Sequence, residues 1–330
     1  MRSIRLPGWV DPFIAALLAV IAIATLLPVR GGAAAVFDHL TTAAVCLLFF
    51  LHGAKLSPES AIRSFTRWRF QLLVLAITYL IFPVLGLALW PIRDSLLTPV
   101  LYAGVLFLCV LPSTVQSSIA FTSVAGGNVG LAVSSASLSN VLGVVITPLL
   151  AALLLGSQAQ ITPQSIVGIL LQLLLPFVVG QLLHRRLGPW LSRRKRLITV
   201  VDRGSVLLVV YTAFSAGVVA GLWTIVAPSQ LAVIVAICIL VLAVVLGLTV
   251  AFGKVGRISR PDRVVLLMCG STKSLASGLP MATLLFPAST VSMIILPLMI
   301  YHLIQLIVCA VLSRTMGRRV AGTEVAAQAT

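Results

Sequence analysis

The sequence predicts an all-α membrane protein that crosses the bilayer ten times. Of its 330 residues, 60% are hydrophobic and only 9% are charged, and the mean hydropathy is +1.15. A soluble protein of this length needs far more charge to cover its surface. The apolar runs are continuous rather than alternating, which excludes an outer-membrane barrel. The Lys and Arg residues lie mostly in short segments between these runs, as is typical of helical membrane proteins.

Ten apolar runs are candidates for membrane helices, each of which needs about 20 residues. The second run is short and rich in threonine, so it is the weakest of the set. The predicted spans are Pro12–Pro28, Leu40–Ala54, Phe70–Ile92, Thr98–Ala125, Val129–Gly156, Gln164–His184, Gly204–Val226, Leu231–Gly253, Val264–Phe286 and Val291–Leu312.

The basic residues predict the orientation of these spans. With ten spans both termini lie on one side of the membrane, and that side receives nearly all Lys and Arg residues, including Arg2, Arg5 and Arg63. The exceptions are Arg30, Arg93 and Lys273. Because loops rich in Lys and Arg stay in the cytoplasm, we expect a multi-pass protein of the cell membrane with both termini cytoplasmic. The same pattern explains the net charge of +16 without a nucleic-acid partner.

Lys273 is the only charged side chain predicted to lie inside a span. All seven carboxylates are predicted to lie in loops, in tails or at span ends. A charge at the bilayer centre costs about 3 kcal/mol on insertion scales, so Lys273 needs a partner or a wet cavity and marks a candidate functional site. Its neighbours in span nine are small or hydroxylated: Cys269, Gly270, Ser271, Thr272 and Ser274.

A second polar break follows Pro112 in span four. Ser113-Thr114 and Ser271-Thr272 are 158 residues apart, and each pair lies in the fourth span of a five-span half. An odd number of spans makes the two halves inverted, and broken helices at matched positions are the best sequence indication of a transporter site. We therefore predict inverted five-helix repeats at 1–156 and 157–313, followed by a cytoplasmic tail at 314–330. The predicted site comprises Ser113, Thr114, Gln116, Ser117 and Ser118 with Cys269, Ser271, Thr272, Lys273 and Ser274.

Four segments of the chain resemble the bile acid:sodium symporter family, and more narrowly the bacterial relatives of its vertebrate orphan member seven. They are Leu111–Gly130, Leu173–Leu187, Cys269–Met281 and Leu296–Val308, and the resemblance extends over essentially the whole chain. It implies ten helices in two inverted repeats, with crossed, discontinuous helices four and nine in a six-helix core domain. Helices one, two, six and seven would form a panel domain, and the substrate would lie in the crevice between the domains.

The resemblance also implies vestigial sodium sites. Polar residues match the positions of the family's sodium ligands on helices three, four and five, and Asn128 belongs to a Gly-Asn-Val step shared with the wider family. The matching residues are Thr78, Ser117, Ser118, Ser135 and Ser137. On this basis Asn128 and Ser137 are added to the predicted substrate- and ion-binding site.

The sequence departs from the family pattern in span nine. The glutamate that serves both sodium sites falls on Cys269, and the glutamine four residues later falls on Lys273. The only anionic ligand is therefore replaced, and a cation is present instead. A Na⁺ ion 4 Å from a charged lysine is repelled by about 4 kcal/mol at an effective dielectric constant near 20. We therefore do not expect ordinary sodium coupling.

Our hypothesis at this point is that the Lys273 ammonium group replaces the ion. It would bind backbone carbonyls and hydroxyls of the crossed helices, including Ser117, Ser118 and Ser137. Because burial favours the neutral amine, Lys273 could also load and unload a proton. The coupling ion is thus Na⁺, H⁺ or none, and no other cofactor is predicted.

The sequence favours a secondary carrier that moves a small organic anion by alternating access, and the positive charge of Lys273 is the reason for choosing an anion. One alternative is a membrane regulator of ion homeostasis with this fold and little or no transport. A remote alternative is an intramembrane hydrolase that pairs Lys273 with Ser271 or Ser274. The substrate, the coupling ion and the oligomeric state stay open.

Overall fold

A computed structural model describes residues 12–55, 67–156, 167–168 and 170–328. Arg2, Arg5 and Arg63, which contribute to the predicted orientation, lie outside the described residues, as does Gln164 at the predicted start of span six. The regular structure of the described part is entirely helical, which agrees with the predicted class.

The helices are numbered here in chain order. They are α1 (Pro12–Leu26), α2 (Gly32–Lys55), α3 (Trp68–Ile92), α4 (Pro99–Val110), α5 (Gln116–Val124), α6 (Val129–Leu155), α7 (Leu171–Leu182), α8 (His184–Arg193), α9 (Lys195–Val219), α10 (Pro228–Val255), α11 (Arg260–Ser271), α12 (Leu275–Leu285) and α13 (Ala288–Gln328). Short helical turns occur at Arg93–Leu96 and Leu222–Ile225.

Seven helical segments of the described chain are long and apolar enough to cross a membrane. They are α2, α3, α6, α9, α10, the α11–α12 pair and α13, and α1, α4 and α7 are shorter apolar helices. The chain is therefore a multi-pass helical membrane protein. The α11–α12 segment is almost wholly enclosed by other helices, which is why it can contain polar residues at bilayer depth.

Both predicted helix breaks are present. The backbone is not helical between α4 and α5 or between α11 and α12, where Thr272, Lys273 and Ser274 separate the two halves. Pro112 lies in the first break, where its missing N–H prevents the helix from continuing. At the start of α12, Ser274 is the N-cap residue, and its hydroxyl accepts a hydrogen bond from the Ser277 N–H.

Several helices extend beyond the predicted spans. The second starts at Gly32 rather than Leu40, α9 starts at Lys195 rather than Gly204, and α13 continues through the predicted tail to Gln328. Residues 185–193, which follow predicted span six, also lie in a helix, His184–Arg193. These boundaries were missed because a helix can continue past the apolar layer, where polar side chains are already in contact with water.

The helices pack in two groups. In a four-helix group, α1 packs on α9 while α2 packs on both α7 and α9. The other group contains both broken helices, with α4 against α13 and α6, and α10 against α11 and α13. We call these the four-helix group and the broken-helix group. They meet where α9 packs on α12 and α13.

Two glycines allow the backbones of α2 and α7 to touch. A Cβ atom at Gly53 would overlap the Phe177 carbonyl, and one at Gly180 would overlap the Phe50 carbonyl. Small residues at helix contacts allow such close approach in membranes. The four-helix group therefore depends on these two positions.

We expect Gly180→Ala to destabilise the protein although alanine is the better helix former by about 1 kcal/mol. The added methyl group has to push α2 away from α7. Gly247→Ala on α10 is the matched control, because nothing lies within 4 Å of its Cβ position. Thermal unfolding in detergent should show a lower melting temperature for Gly180→Ala only. Equal melting temperatures for the two variants would contradict the close packing.

Candidate functional site

The two helix breaks are in direct contact. The Ser274 N–H donates to the Pro112 carbonyl at 2.8 Å, so the break in one span pairs with the break in the other. Asn140 on α6 connects them further. Its amide nitrogen donates to the Ser113 carbonyl at 2.6 Å, and its amide oxygen accepts from the Ser277 hydroxyl at 2.8 Å. The polar backbone groups released by the breaks are thus satisfied inside the protein, as the bilayer requires.

The two helix breaks meet at a point that we call the crossing, and five hydroxyls lie there. We call Ser113, Thr114, Ser117, Ser118 and Thr272 the hydroxyl cluster. Thr272 is at its centre, with Oγ1 at 3.0 Å from the Ser113 and Thr114 hydroxyls and 2.8 Å from that of Ser118. Ser117 donates to Thr114 at 2.7 Å. Thr272 also donates to the Met268 carbonyl of its own helix at 2.9 Å. These hydrogen bonds connect the two broken helices through side chains as well as backbone.

Lys273 is fully buried, and its ammonium group contacts backbone oxygens. The Nζ atom donates to the carbonyls of Thr78 at 2.8 Å, Cys109 at 2.9 Å and Leu111 at 2.7 Å. An ammonium group has three N–H donors, so each donor has one acceptor. The face of the Phe82 ring lies 3.9 Å from Nζ, which adds a cation–π contact.

These carbonyls are available because the chain is irregular around each of them. On α3 the N–H of Phe82 bonds to the Ile77 carbonyl in a π-helical turn, and the next residue, Pro83, has no N–H. The Thr78 carbonyl is left without a helical donor. Cys109 and Leu111 lie at the C-terminal end of α4, whose last carbonyls lack helical partners. That end carries the negative pole of the helix dipole, which favours a cation.

The backbone of Lys273 is held by Gln305 on α13. The Gln305 amide oxygen accepts from the Lys273 N–H at 2.7 Å, and its amide nitrogen donates to the Lys273 carbonyl at 2.9 Å. Gln305 also lies 2.8 Å from Nδ1 of His302. An irregular residue in mid-membrane thus has both backbone groups and all its side-chain donors paired.

The structure corrects the predicted partners of Lys273. Backbone carbonyls and the hydroxyls of Ser117, Ser118 and Ser137 were expected to bind its ammonium group; carbonyls accept all three donors, and these hydroxyls accept none. Ser117 and Ser118 belong to the hydroxyl cluster, and Ser137 is a half-buried residue of α6. A sequence shows which residues carry hydroxyls, but it does not show which carbonyls are free.

The remaining residues matched to sodium ligands lie around the crossing without forming one shell. The Thr78 hydroxyl donates to the Val74 carbonyl of its own helix, and the Ser135 hydroxyl is buried without a hydrogen-bond partner in the described part of the chain. The Cys269 thiol lies 3.8 Å from the Ala132 carbonyl. The Ser271 hydroxyl donates to the Leu267 carbonyl at 2.6 Å.

Asn128 does not belong to the crossing. Its side chain caps α6 by accepting from the Leu131 N–H at 3.1 Å and donates to Asp262 at 3.0 Å. Asp262 also forms a 2.8 Å ion pair with Arg67. Asp262 lies in the first turn of α11, while Ser271 ends that helix, so about 14 Å of helix separates the two sites. Asn128 therefore has a structural role at the helix ends.

The Ser–Lys pair of a hydrolase is not formed. The Lys273 ammonium group contacts three carbonyls, the Ser271 hydroxyl donates to its own helix, and the Ser274 hydroxyl contacts Ser277 at 3.1 Å. Neither serine is positioned for activation by the lysine.

A cavity of about 270 Å³ lies beside the crossing, between the two helix groups. Residues at the starts of both half-helices, Gln116 on α5 and Leu275 on α12, line one wall. The opposite wall comes from the four-helix group. The lining residues are Phe13, His52, Thr114, Val115, Gln116, Ser117, Ala120, Phe121, Asn140, Asp202, Arg203, Val206, Ser274, Leu275, Ala276, His302 and Leu306.

Asp202 was missed as a site residue. It was predicted to precede span seven, but it lies within α9, is only 9% exposed and lines the cavity. His52 on α2 lies 3.4 Å from one of its carboxylate oxygens, and the side-chain amide of Gln116 donates to the other. The prediction failed because Arg203 and the preceding basic residues make this stretch look like a cytoplasmic loop.

Asn140 and Gln305 were not among the predicted site residues. Both are amides in otherwise apolar spans, a signal that marks either helix packing or a functional site. The sequence does not show that they pair with the backbone of the two breaks, since that depends on how the helices cross.

Two broken helices that meet inside an apolar helical protein, beside a cavity lined by both polar and apolar side chains, define a membrane transporter of the broken-helix class. Comparison with known proteins gives the family. Residues 11–318 match the SBF-like CPA transporter family, and the chain belongs to it. This is a family of transporters rather than of enzymes.

The relatives agree with this assignment. The chain is 51% identical to an uncharacterized Pseudomonas aeruginosa protein over 94% of this chain and 93% of that protein. It is 47% identical to the putative symporter YfeH of Escherichia coli K12, with the same coverage. It is also 30% identical to sodium/bile acid cotransporter 7-A of Xenopus laevis, over 92% of this chain and 91% of the relative.

We expect Thr272→Val to destabilise the crossing. Valine keeps the shape of threonine but leaves the buried hydroxyls around it without their common partner, a loss of about 1–3 kcal/mol. Thr283→Val on α12 is the control, since Thr283 is exposed and bonds only to the Pro280 carbonyl of its own helix. Thermal unfolding should separate the two variants. If both behaved like the wild type, the hydroxyl cluster would not hold the helices together.

Proposed function

We propose that this protein is a secondary carrier that moves a small organic anion across the cell membrane by alternating access. The observation that carries the proposal is that the N-terminal ends of two half-helices line one cavity. A helix N-terminus presents N–H groups without helical partners and a partial positive charge. Discontinuous helices in other transporters use such ends to bind anionic groups of the substrate.

The charge near the cavity supports an anion. Lys273 directly precedes Ser274, which lines the cavity, and the partners of its ammonium group are neutral carbonyls rather than a carboxylate. The positive charge is therefore only partly offset by dipoles. Lys273 itself is buried behind the crossing, so it would act on the substrate through its field and not by contact. Arg203 adds a cation to the cavity lining, where it follows the carboxylate of Asp202.

We propose that coupling does not use sodium in the ordinary way, because the Lys273 ammonium group takes the role of the ion. Three carbonyl oxygens around a buried cation are the kind of ligand that an alkali ion would have. This support is independent of the family resemblance, which places Lys273 at a sodium-ligand position. The name of the Xenopus relative includes sodium and bile acid, but a cavity of about 270 Å³ favours a smaller anion.

We further propose that ten spans form two inverted five-helix repeats with both termini in the cytoplasm. The seven long apolar helical segments and three shorter ones among the described residues support ten spans. The four-helix group contains the first, second, sixth and seventh of these, as a panel domain would. The broken-helix group would be the core domain, and the exposed arginines of α8 would lie at the cytoplasmic surface.

Substitution of Lys273 by alanine tests its role as a substitute ion. Lys273→Ala leaves three carbonyls without donors, so we expect a lower melting temperature. Na⁺ or ethylammonium should then restore part of the stability, by about 1.4 kcal/mol at ten times the dissociation constant. The wild type and Lys254→Ala, a change at an exposed lysine on α10, should show no such gain. Absence of any cation effect in Lys273→Ala would refute the substitute-ion role.

Uptake into proteoliposomes tests the carrier function itself. We expect saturable uptake of at least one of radiolabelled benzoate, succinate or methanesulfonate, with a rate that is the same in Na⁺ and K⁺ buffers. Uptake that requires Na⁺ would contradict the coupling proposal. Absence of uptake, together with altered ion content of cells that lack the protein, would instead favour the regulator of ion homeostasis.

A further inference from the structure

The cavity between the helix groups is lined by Asp202, whose two carboxylate oxygens face different helices. One oxygen of Asp202 lies 3.4 Å from Nε2 of His52, within the four-helix group. The other accepts a hydrogen bond from Gln116, the first residue of the broken-helix half α5. Asp202 thus has one partner in each of the two helix groups that form the cavity. Nothing in the Lys273 site uses it.

The titratable and charged groups around Asp202 come from few elements. Among the described residues, α2 supplies His52, with the exposed Lys55 one turn further on, and α13 supplies His302. The helix α8 packs on α2 and α9 and supplies His184, whose Nδ1 lies 2.8 Å from the Ala54 carbonyl, and exposed arginines. Arg203 follows Asp202 on α9 and also contacts the ring of Phe13. The described parts of α1, α5 and α12 contain no titratable side chain. His52 is therefore the titratable side chain whose position beside the carboxylate is shown.

A proton is the ligand that this pair is suited to bind. A buried charge costs several kcal/mol unless it is paired or neutralised, and a histidine beside a carboxylate can gain or lose one proton near neutral pH. With neutral His52 the pair has a net charge of −1, and with protonated His52 the net charge is zero. A further proton on Asp202 would make it +1. In a narrow crevice these changes alter the local field strongly.

The hydrogen bond from Gln116 connects the charge of the pair to the broken helix. A bond to a carboxylate is about twice as strong as one to a neutral group. Neutralising Asp202 therefore weakens a link that crosses between the two helix groups. Gln116 is followed by Ser117 of the hydroxyl cluster and lies in the cavity wall. Proton binding can thus favour one relative position of the helix groups over another.

We infer that Asp202 and His52 form the proton-binding site that couples this carrier to a proton gradient, with Gln116 linking the pair to the substrate cavity. The inference rests on the proposed carrier function. It adds what that proposal leaves open, because a lysine that stays charged does not exchange an ion with either side of the membrane.

The contact between the two side chains can be tested without a substrate. The protein has four histidines, so selective histidine labelling gives few NMR signals, and loss of one signal in His52→Gln assigns that signal to His52. Asp202→Asn should change the chemical shift of the His52 ring, because it removes a carboxylate oxygen 3.4 Å from Nε2. The signal of His39, exposed near the start of α2, should not move. An unchanged His52 signal in Asp202→Asn would overturn the pair.

Coupling is measured in proteoliposomes with benzoate, succinate and methanesulfonate as probes and pyranine as an internal pH indicator. We expect an imposed pH gradient to accelerate wild-type uptake about tenfold. A protonophore should abolish this acceleration. The variants Asp202→Asn and His52→Gln should show no acceleration by the gradient. Asp38→Asn and His39→Gln are matched controls, because they change the same residue types at exposed positions of α2 outside the cavity.

The possible outcomes separate the two proposals. Wild-type uptake that ignores the pH gradient overturns the coupling inference and leaves the carrier function intact. Uptake of none of the probes, with a normal His52 response to Asp202→Asn, keeps the proton site and contradicts the choice of substrate class. A gradient effect that persists in both Asp202→Asn and His52→Gln places the coupling site elsewhere and overturns the inference.

Discussion

The contact between the Lys273 ammonium group and three backbone carbonyls determines how the rest of the structure is arranged. A buried cation without a carboxylate partner requires oxygen atoms that no helix is using, and a regular helix uses all of its interior carbonyls. Three irregularities supply them: the π-helical turn before Pro83, the end of α4 and the break after Leu111. The Phe82 ring and Gln305 complete the enclosure. The free carbonyls of the irregular backbone thus pair with the N–H donors of the lysine. Neither set of groups would be stable in the membrane without the other.

The crossing has two layers of different chemistry. Lys273 joins α3 and α4 to the second break through backbone carbonyls, while Thr272 joins the same break to α5 through hydroxyls. The adjacent residue, Ser274, bonds to Pro112 and starts α12. Three consecutive residues therefore hold the second break against α3, the first break and α5. This arrangement fixes where the two half-helices begin, and so directs their N-terminal ends to the cavity.

Part of this arrangement can be predicted from the sequence. The spans follow from hydropathy, and the importance of Lys273 follows from the cost of a charge at bilayer depth. The breaks follow from Pro112 and from hydroxyl clusters at matched positions. The acceptors of Lys273 cannot be predicted in this way, because a carbonyl has no residue identity and becomes free only through the π-helical turn of α3. Asp202 was missed for a different reason, since local composition does not reveal that a charged stretch continues a helix into a crevice.

A cation that is part of the chain has a consequence for energetics. A bound Na⁺ ion can be taken from one side of a membrane and released on the other, so its gradient drives the cycle, whereas an ammonium group on a lysine returns to the same place after each cycle. While it stays charged, Lys273 can stabilise the crossing as an ion would, but it supplies no free energy from a gradient. Any accumulation of substrate must then be driven by a group that exchanges with water. Among the described residues of the cavity wall, Asp202 and His52 are in contact with each other and reach across to the broken helix. In other carriers one ion can both stabilise the site and drive transport. On this reasoning the two roles are divided here: Lys273 stabilises the crossing, and the Asp202–His52 pair in the cavity wall drives transport.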